Sequence, residues 1–217
     1  MDRDACYLLG ERTVVMQFSA PATLECQQRI WWVAQRLGRH DYDDVVPGMN
    51  NLTVFFNPAR DDGGLLLTRL KQLWSSAKAH SFKVREVVIP VFYGGEDGPD
   101  LDVVARHTAM TPTEVIEAHC KAVYTVFFLG FQPGFAYLGG LPTCLETPRL
   151  ATPRLIVPAG SVGIGGVQTG IYPQASPGGW NLIGRSELDL FDPTRDSPSL
   201  LLPGDLVHFS PIGGNCV

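Results

Sequence analysis

The sequence lacks several features that would place it in a large functional class. Its 17 Lys and Arg residues do not outweigh its 22 Asp and Glu residues, and the net charge of -5 argues against nucleic acid, which selects basic surfaces. No run approaches the roughly 18 apolar residues that span a membrane. Acidic residues stand near the start, where a secretory signal has a basic segment. We therefore expect neither a nucleic-acid partner nor a membrane partner.

Cysteine is also scarce and irregularly placed. The five cysteines are odd in number and form no CxxC pair, and no spacing of Cys and His matches a zinc site. They are Cys6, Cys26, Cys120, Cys144 and Cys216. A reducing, cytoplasmic setting with unbridged thiols is the simplest interpretation, and we predict no metal ligands.

Nucleotide-binding and hydrolase motifs are missing too. The Walker motif requires a lysine after its glycines, and residues 160–170 supply none. Residues 163–165 begin a dinucleotide-binding GxGxxG motif, but Gln168 stands at its last glycine. Ser161 does not complete a GxSxG nucleophile motif, because Ala159 replaces the first glycine. The chain therefore has no nucleotide motif of its own.

The first ninety or so residues are typical of an α+β domain. Two pairs of β-prone runs surround turn residues, and an amphipathic helix follows each pair. The runs cover residues 5–9, 13–18, 44–46 and 52–56. Asp62 is placed to cap the second helix, and residues 84–91 predict a final strand. This order predicts a ferredoxin-like sandwich with one extra strand over residues 1–93, followed by a second domain over residues 94–217.

Two short helices are predicted between residues 100 and 121. Thr111, Pro112 and Glu114 supply the cap, the first-turn proline and the capping-box acid of the second helix. A helix-turn-helix would fit these lengths, but the glutamates of the second helix would face DNA phosphates unfavourably. His119 lies near the end of that helix. It is either a satisfied structural histidine or an acid/base or substrate contact.

The stretch from Tyr124 to Arg185 is dense in glycine and proline. Residues 125–184 contain 12 Gly and 7 Pro, against roughly 4 and 3 from average usage. Aromatic residues are threaded through the same stretch, whereas disordered segments lack them. Turn dipeptides such as Pro133-Gly134 and Pro177-Gly178 separate short apolar runs. We therefore predict an all-β barrel whose loops carry any chemistry.

The same stretch predicts an anion site. Successive backbone N–H groups in glycine-rich turns can form a concave nest, and arginines suit carboxylates and phosphates. The candidate groups are the N–H groups of Gly163, Gly165 and Gly166, the guanidinium groups of Arg149, Arg154 and Arg185, and the side chains of Gln168, Thr169 and Tyr172. A barrel rim with purely structural hydrogen bonds would have the same pattern.

Several long motifs resemble one known family. They are FLGFQPGFAYLGGLP at 128–142, TPRLATPRLIVPAGSVGIGGVQTGIYP at 147–173, SPGGWNLIGR at 176–185, LFDP at 190–193 and LLPGDLVHF at 201–209. These motifs resemble the family of the 5-oxoprolinase B subunit, which also includes Kip-type sporulation kinase inhibitors and allophanate hydrolase subunit 1. The resemblance covers essentially the whole chain. It implies an α+β N-terminal domain followed by a cyclophilin-like β-barrel domain.

The resemblance also implies a function. It implies a hydrolase component that acts with the C and A subunits of 5-oxoprolinase to convert 5-oxoproline to L-glutamate, with ATP and Mg shared with the partner subunit. Lactam phosphorylation needs cations and N–H donors at the developing oxygen charge. From residue type and position, the catalytic candidates are His119, Tyr124 and Arg154, and the substrate-binding candidates are Gln132, Gly163, Gly165, Gly166, Gln168, Thr169, Tyr172, Trp180 and Arg185. Because the chain has no nucleotide motif, we expect it to be inactive alone.

Two other functions are compatible with the shared motifs. One is a Kip-like inhibitor of a sensor histidine kinase, which would use the aromatic and proline surface near Phe131 to Phe135. The other is an allophanate hydrolase or urea carboxylase-type subunit that handles a carboxylated amide. The identity of neighbouring genes would separate these alternatives.

Overall fold

The computed structural model describes residues 5–38, 41–79 and 85–213. The chain divides into two compact units, Met1–Lys83 and Val84–Val217. The first unit contains an antiparallel sheet with two helices, and the second contains a closed seven-stranded barrel with two helices. The fold class is therefore the predicted one, α+β with a β-barrel.

The first unit is built on a four-stranded sheet. Its strands are β1 (Ala5–Leu8), β2 (Thr13–Gln17), β3 (Asp44–Gly48) and β4 (Asn51–Phe55), and its helices are α1 (Leu24–Leu37) and α2 (Gly63–Ser76). The sheet order is β1-β2-β4-β3, and every neighbouring pair is antiparallel. Helix α2 begins where the sequence predicts, because the Asp62 carboxylate accepts from the N–H groups of Gly64 and Leu65 at 2.7 and 3.0 Å.

Alternate residues of the sheet form the core of this unit together with one face of each helix. Val14 and Val54 from the strands are fully buried with Ile30 of α1 and Leu70 of α2. Both helices pack against the sheet and against each other. Burial of these apolar side chains is the main source of stability here.

The described residues of the second unit form nine strands and two α-helices, with one short 3-10 helix at Thr143–Leu145. The strands are β5 (Glu86–Tyr93), β6 (Tyr124–Leu129), β7 (Ala136–Gly139), β8 (Arg154–Val157), β9 (Ser161–Gly165), β10 (Gln168–Ile171), β11 (Ser176–Gly178), β12 (Asn181–Arg185) and β13 (Leu206–Pro211), and the helices are α3 (Leu101–Thr108) and α4 (Pro112–Lys121). Seven strands close the barrel in the order β10-β7-β6-β13-β5-β12-β9, while β8 and β11 form a separate two-stranded ribbon. Strands β5 and β13 are parallel, and the other barrel pairs are antiparallel.

Strand β5 differs from the prediction in its partners. The strand predicted at residues 84–91 pairs with β12 and β13 of the barrel, and not with the first sheet. Its inward residues Ile89 and Val91 are fully buried in the barrel core, and Val84 lies outside the described residues. The edge position next to β2 is taken by β1 instead. The two units therefore divide before this strand, and not near residue 93.

The later part of the second unit has three apolar runs, at residues 188–191, 200–202 and 206–209. Only the last of them lies in a strand, β13. The runs at 188–191 and 200–202 lie in irregular segments, where one isolated bridge joins Phe191 and Ser199. Leu190 and Leu201 are nevertheless buried in the barrel core. Their hydrophobicity therefore reflects burial of loops and not strand pairing.

Helix α4 has the predicted capping box. The Thr111 hydroxyl accepts from the Glu114 N–H at 3.2 Å, and the Glu114 carboxylate accepts from the Thr111 N–H at 2.7 Å. The helix packs against β13, and α3 packs against β12. In the described ranges, no helix is long and apolar enough to cross a membrane. Cys6, Cys26, Cys120 and Cys144 form no disulfide, and Cys216 lies outside the described residues.

Candidate functional site

Most of the predicted site residues lie in three places in the second unit. A buried polar chain inside the barrel contains His119, Tyr124 and Thr169. An aromatic cleft contains Tyr172 and Trp180, and an arginine cleft contains Arg154 and Arg185. The residues that the sequence assigned to one site are therefore divided among different environments.

The buried polar chain runs from Tyr93 through His119 to Thr169. Tyr93 Oη lies 2.7 Å from His119 Nδ1, and His119 Nε2 lies 3.0 Å from Thr169 Oγ1. Thr169 Oγ1 donates to the Gly163 carbonyl at 3.0 Å. Because the threonine proton is used in that bond, His119 Nε2 must donate to Thr169, and Nδ1 must accept from Tyr93. The contacts therefore define a neutral imidazole with its proton on Nε2.

Burial keeps this chain from titrating. His119 has no exposed surface, and burial lowers its pKa to about 3 because an imidazolium ion would lose its hydration. Burial likewise raises the pKa of Tyr93 and of Tyr124 above their ordinary value, and Tyr124 donates to the His119 carbonyl at 2.9 Å. Both ring nitrogens of His119 are used within the protein. These contacts are those of a satisfied structural histidine.

The glycine run forms a strand and a turn, and the predicted anion nest is not formed. Gly163 and Gly165 lie in β9, which pairs with β10 on one side and β12 on the other. The Gly166 N–H donates to the Thr147 carbonyl at 2.7 Å, and the Thr147 N–H returns a bond to the Gly166 carbonyl at 3.2 Å. These backbone groups belong to the hydrogen bonding of the barrel.

The glycines of this region leave room for aromatic rings. A Cβ atom on Gly165 would stand 2.4 Å from Cδ1 and Nε1 of the Trp180 indole, and one on Gly170 would stand 3.1 Å from the same ring system. A Cβ atom on Gly178 would stand 2.6 Å from Tyr172 Oη. Because glycine has no side chain, the rings of Trp180 and Tyr172 can approach the backbone closely at these positions.

The aromatic cleft is a cavity of about 240 Å³. Its lining includes five aromatic residues and one arginine: Phe131, Phe135, Tyr137, Tyr172, Trp180 and Arg149. Phe135 meets Tyr172 and Trp180 edge to face, with ring centroids 5.3 and 5.6 Å apart. Edge-to-face pairs are favoured by the ring quadrupoles. The contacts therefore hold the three central rings in fixed mutual orientations.

The polar groups of this cleft are Arg149 and two tyrosine hydroxyls. The Arg149 guanidinium lies over the Trp180 ring, 5.8 Å from its centroid. Burial raises the pKa of Tyr137 and of Tyr172, and in both the nearby positive charge of Arg149 opposes that effect. The backbone of Trp180 also opposes the effect of burial on the pKa of Tyr172. One cation and two phenols therefore lie close together beside an apolar surface.

The arginine cleft has a volume of about 150 Å³ and carries both signs of charge. Arg154 Nη2 lies 2.7 Å from Asp100 Oδ1, and Arg185 Nη1 lies 4.0 Å from Asp97 Oδ1. The second oxygen of Asp100 accepts from the Leu182 N–H at 2.7 Å. Arg154 Nη1 is buried and has no hydrogen-bond partner among the residues that the structure describes. Both predicted cationic groups are therefore largely balanced by carboxylates.

Two further candidates lie outside these sets. Gln132 donates through Nε2 to the Gln174 carbonyl at 3.2 Å in an exposed turn. Gln168 begins β10, and its Nε2 is buried without a partner among the described residues. Within the same residues, no group of three His, Cys, Asp or Glu side chains could hold a metal ion.

The aromatic cleft contains residues that were not among the sequence candidates. Phe135 and Tyr137 were absent from the candidate set, although the surface near Phe131 was noted for a different function. Arg149 was considered only as one of three equivalent cations. The signal that could have found this cleft is the alternation of aromatic residues with glycine in the two segments that line it, because glycine permits close approach to a ring.

The sequence and the fold belong to a known class of protein. A family model described as carboxyltransferase domain, subdomain C and D, matches residues 5–201. The chain is also 52% identical over 212 residues to a protein of Escherichia coli O157:H7 that is named as the B subunit of 5-oxoprolinase, and the match covers 97% of each chain. The chain therefore belongs to the 5-oxoprolinase B-subunit family of carboxyltransferase-type domains.

Solved structures share the fold of this chain. The crystal structure of TTHA0988 is similar with a TM-score of 0.80 and 39% identity, and the match covers 94% of this chain but 40% of that chain. Urea carboxylase from Kluyveromyces lactis is similar with a TM-score of 0.76 and 23% identity, covering 96% of this chain and 22% of the enzyme. The second likeness concerns the fold alone. In both cases this chain corresponds to part of a longer polypeptide.

Proposed function

We propose that this chain is the B subunit of an ATP-dependent 5-oxoprolinase, which converts 5-oxo-L-proline to L-glutamate. The observation that carries the proposal is the similarity to the B subunit of the E. coli 5-oxoprolinase, which extends over nearly the whole of both chains. The aromatic cleft adds support, because its size and its single cation suit a small ring that bears a carboxylate.

The proposed reaction opens a lactam, which is a poor electrophile. Transfer of the γ-phosphoryl group of ATP to the lactam oxygen forms a new P–O bond, breaks the bond to ADP and releases the lactam N–H proton. Water then adds to the activated carbon and the C–N bond opens, so that both protons of the water end on the amine nitrogen. A second water hydrolyses the acyl phosphate. The products are glutamate, ADP and phosphate.

We assign ATP and its Mg to a site shared with the C subunit of 5-oxoprolinase, and we assign an accompanying role in lactam opening to the A subunit. The support for sharing is the absence of a nucleotide motif from the sequence. Arg154 is the residue of this chain that we propose for a phosphate contact, since its Nη1 is without a partner among the described residues. Transferred phosphoryl groups are stabilised by such positioned cations. His119 and Tyr124 would stabilise the barrel through their buried hydrogen bonds. We assign neither of them a proton transfer.

The test is a reconstitution. Release of ADP and glutamate from 5-oxoproline is measured with this chain alone, with the C subunit present, and with the A and C subunits together. We expect turnover only in the complete mixture. Turnover by the isolated chain would contradict the shared site, and no turnover in a mixture whose folded subunits associate would contradict the proposed function.

A further inference from the structure

Three polar groups line the aromatic cleft: the guanidinium group of Arg149 and the hydroxyls of Tyr137 and Tyr172. The Arg149 guanidinium lies over the Trp180 ring, 5.8 Å from its centroid. Among the residues that the structure describes, Arg149 has no carboxylate within ion-pair distance, whereas Arg154 and Arg185 each face one. A cation without a carboxylate partner beside an aromatic surface suits a small ligand that brings a carboxylate of its own.

We propose that the aromatic cleft binds 5-oxoproline, with Arg149 as the contact for the carboxylate and the five-membered ring lying against Trp180. The identity of the ligand rests on the function proposed above. The class of ligand, a small planar ring with a carboxylate and a carbonyl oxygen, follows from the cleft itself.

The polar groups of the cleft match those of this ligand in kind. A planar guanidinium forms two parallel hydrogen bonds to one carboxylate, and Arg149 is exposed, so its side chain can turn toward a ligand. A tyrosine hydroxyl remains for the lactam oxygen, which is the atom that the proposed reaction activates. A phenol that donates to this oxygen stabilises the negative charge that develops there.

The size of the cleft suits a small ligand. Its volume of about 240 Å³ is below the range of roughly 300 to 1,000 Å³ that is usual for sites of drug-sized molecules. Its Trp180 surface cannot retreat, because Gly165 and Gly170 place the backbone directly behind the ring. The cleft therefore suits a ligand of the size of the lactam.

The first experiment measures binding to the whole, isolated chain. Calorimetry gives the Kd for 5-oxoproline, and NMR follows the indole N–H signal of Trp180, which is assigned with W180F. We expect saturable binding that moves this signal. Arg149→Ala should weaken binding about 10- to 100-fold, as expected for the loss of a charge-assisted contact, and Arg149→Lys should be intermediate because it keeps the charge and loses the planar fork.

Two controls isolate the contribution of the 5-oxoproline carboxylate to binding. Arg106→Ala removes an equally charged, exposed arginine of the same unit and should leave Kd unchanged. The lactam 2-pyrrolidinone lacks the carboxylate, so it should bind wild type weakly and be insensitive to Arg149→Ala. Equal Kd values for wild type and Arg149→Ala, or no saturable binding of 5-oxoproline, would overturn the inference.

Turnover in the reconstituted complex separates this inference from the proposed function. We expect Arg149→Ala to raise KM for 5-oxoproline by about the factor seen in Kd, with a smaller change in kcat. If the complex turns over and Arg149→Ala leaves KM unchanged, the cleft assignment is wrong and the function stands. If the isolated chain shows Arg149-dependent binding and no mixture turns over, the cleft assignment stands and the function is wrong.

Discussion

The buried polar chain and the aromatic cleft use similar residues in opposite ways. In the barrel, the hydroxyls of Tyr93 and Thr169 and both nitrogens of His119 are joined in one sequence of donors and acceptors. In the cleft, Tyr137 and Arg149 lie close together and have no such acceptor among the described residues. The most strongly shifted pKa values belong to the barrel. Perturbed pKa values mark functional sites only in part, since structural networks also produce them, and a cation without a carboxylate partner beside an aromatic surface is the better indicator here.

The largest expected effect comes from removing His119 from the buried polar chain. His119→Ala leaves the Tyr93 hydroxyl and Thr169 without their buried partner and opens a cavity, so we expect the free energy of unfolding to fall by about 3 to 5 kcal/mol. Urea denaturation followed by near-UV circular dichroism measures this loss. His107→Ala, at an exposed histidine of the same unit, should cost less than about 0.5 kcal/mol. A small loss for His119→Ala would contradict a structural role.

The second prediction concerns pH and tests the neutral imidazole. Burial lowers the folded-state pKa of His119 from its ordinary value of 6.5 to about 3, so between these values the unfolded chain binds a proton that the folded chain does not. The His119 contribution to the free energy of unfolding should therefore decrease as pH falls from 6.5 to 3, by about 1.4 kcal/mol per pH unit at its steepest.

The comparison that isolates this contribution uses His119→Gln, which has no titrating group at the position. The difference between wild type and His119→Gln in unfolding free energy should change with pH below 6.5 and be constant above it. An imidazole that protonates near pH 6 in NMR titration of the folded protein would show that the chain is more open than its contacts indicate.

The smallest of these effects concerns the aromatic cleft. Gly165→Ala places a methyl group against the Trp180 indole, and overpacking of this kind costs about 1 to 3 kcal/mol. Gly179→Ala is the matched control, because its nearest neighbours would lie 3.6 Å away or more. Urea denaturation gives the loss in unfolding free energy, and the NMR signal of the Trp180 indole N–H reports a change in the environment of the ring. We expect the signal to move in Gly165→Ala, and an unchanged signal with unchanged stability would show that the ring has space.

Local signals in the sequence predicted much of the fold. The Asp62 cap and the Thr111 capping box depend on residues within one turn of the helix, and both helices begin as expected. The density of turn dipeptides indicated the barrel. The position of β5 was not accessible in this way, because an apolar run shows that a strand exists and does not show which sheet it joins.

The candidate site was harder to predict for a related reason. A glycine that permits a turn and a glycine that leaves room for a distant ring look the same in sequence, and Gly165 meets Trp180 fifteen or so residues later. His119 likewise depends on Thr169, which lies 50 residues away along the chain. Tyr172 and Trp180 were among the sequence candidates and line the aromatic cleft, but the placement of Arg149 beside them required the structure.

The place of β13 has a consequence for how the two units acquire their folds. This strand, Leu206–Pro211, lies between β5 and β6, so the barrel ring stays open until these residues have been synthesised. All four strands of the first sheet lie before residue 56, and local pairings of that kind form early and fast. During translation, which proceeds from the N-terminus, the first unit can therefore be complete while the barrel exposes the edges of β5 and β6. Those edges are the part of this protein that a chaperone would most need to cover.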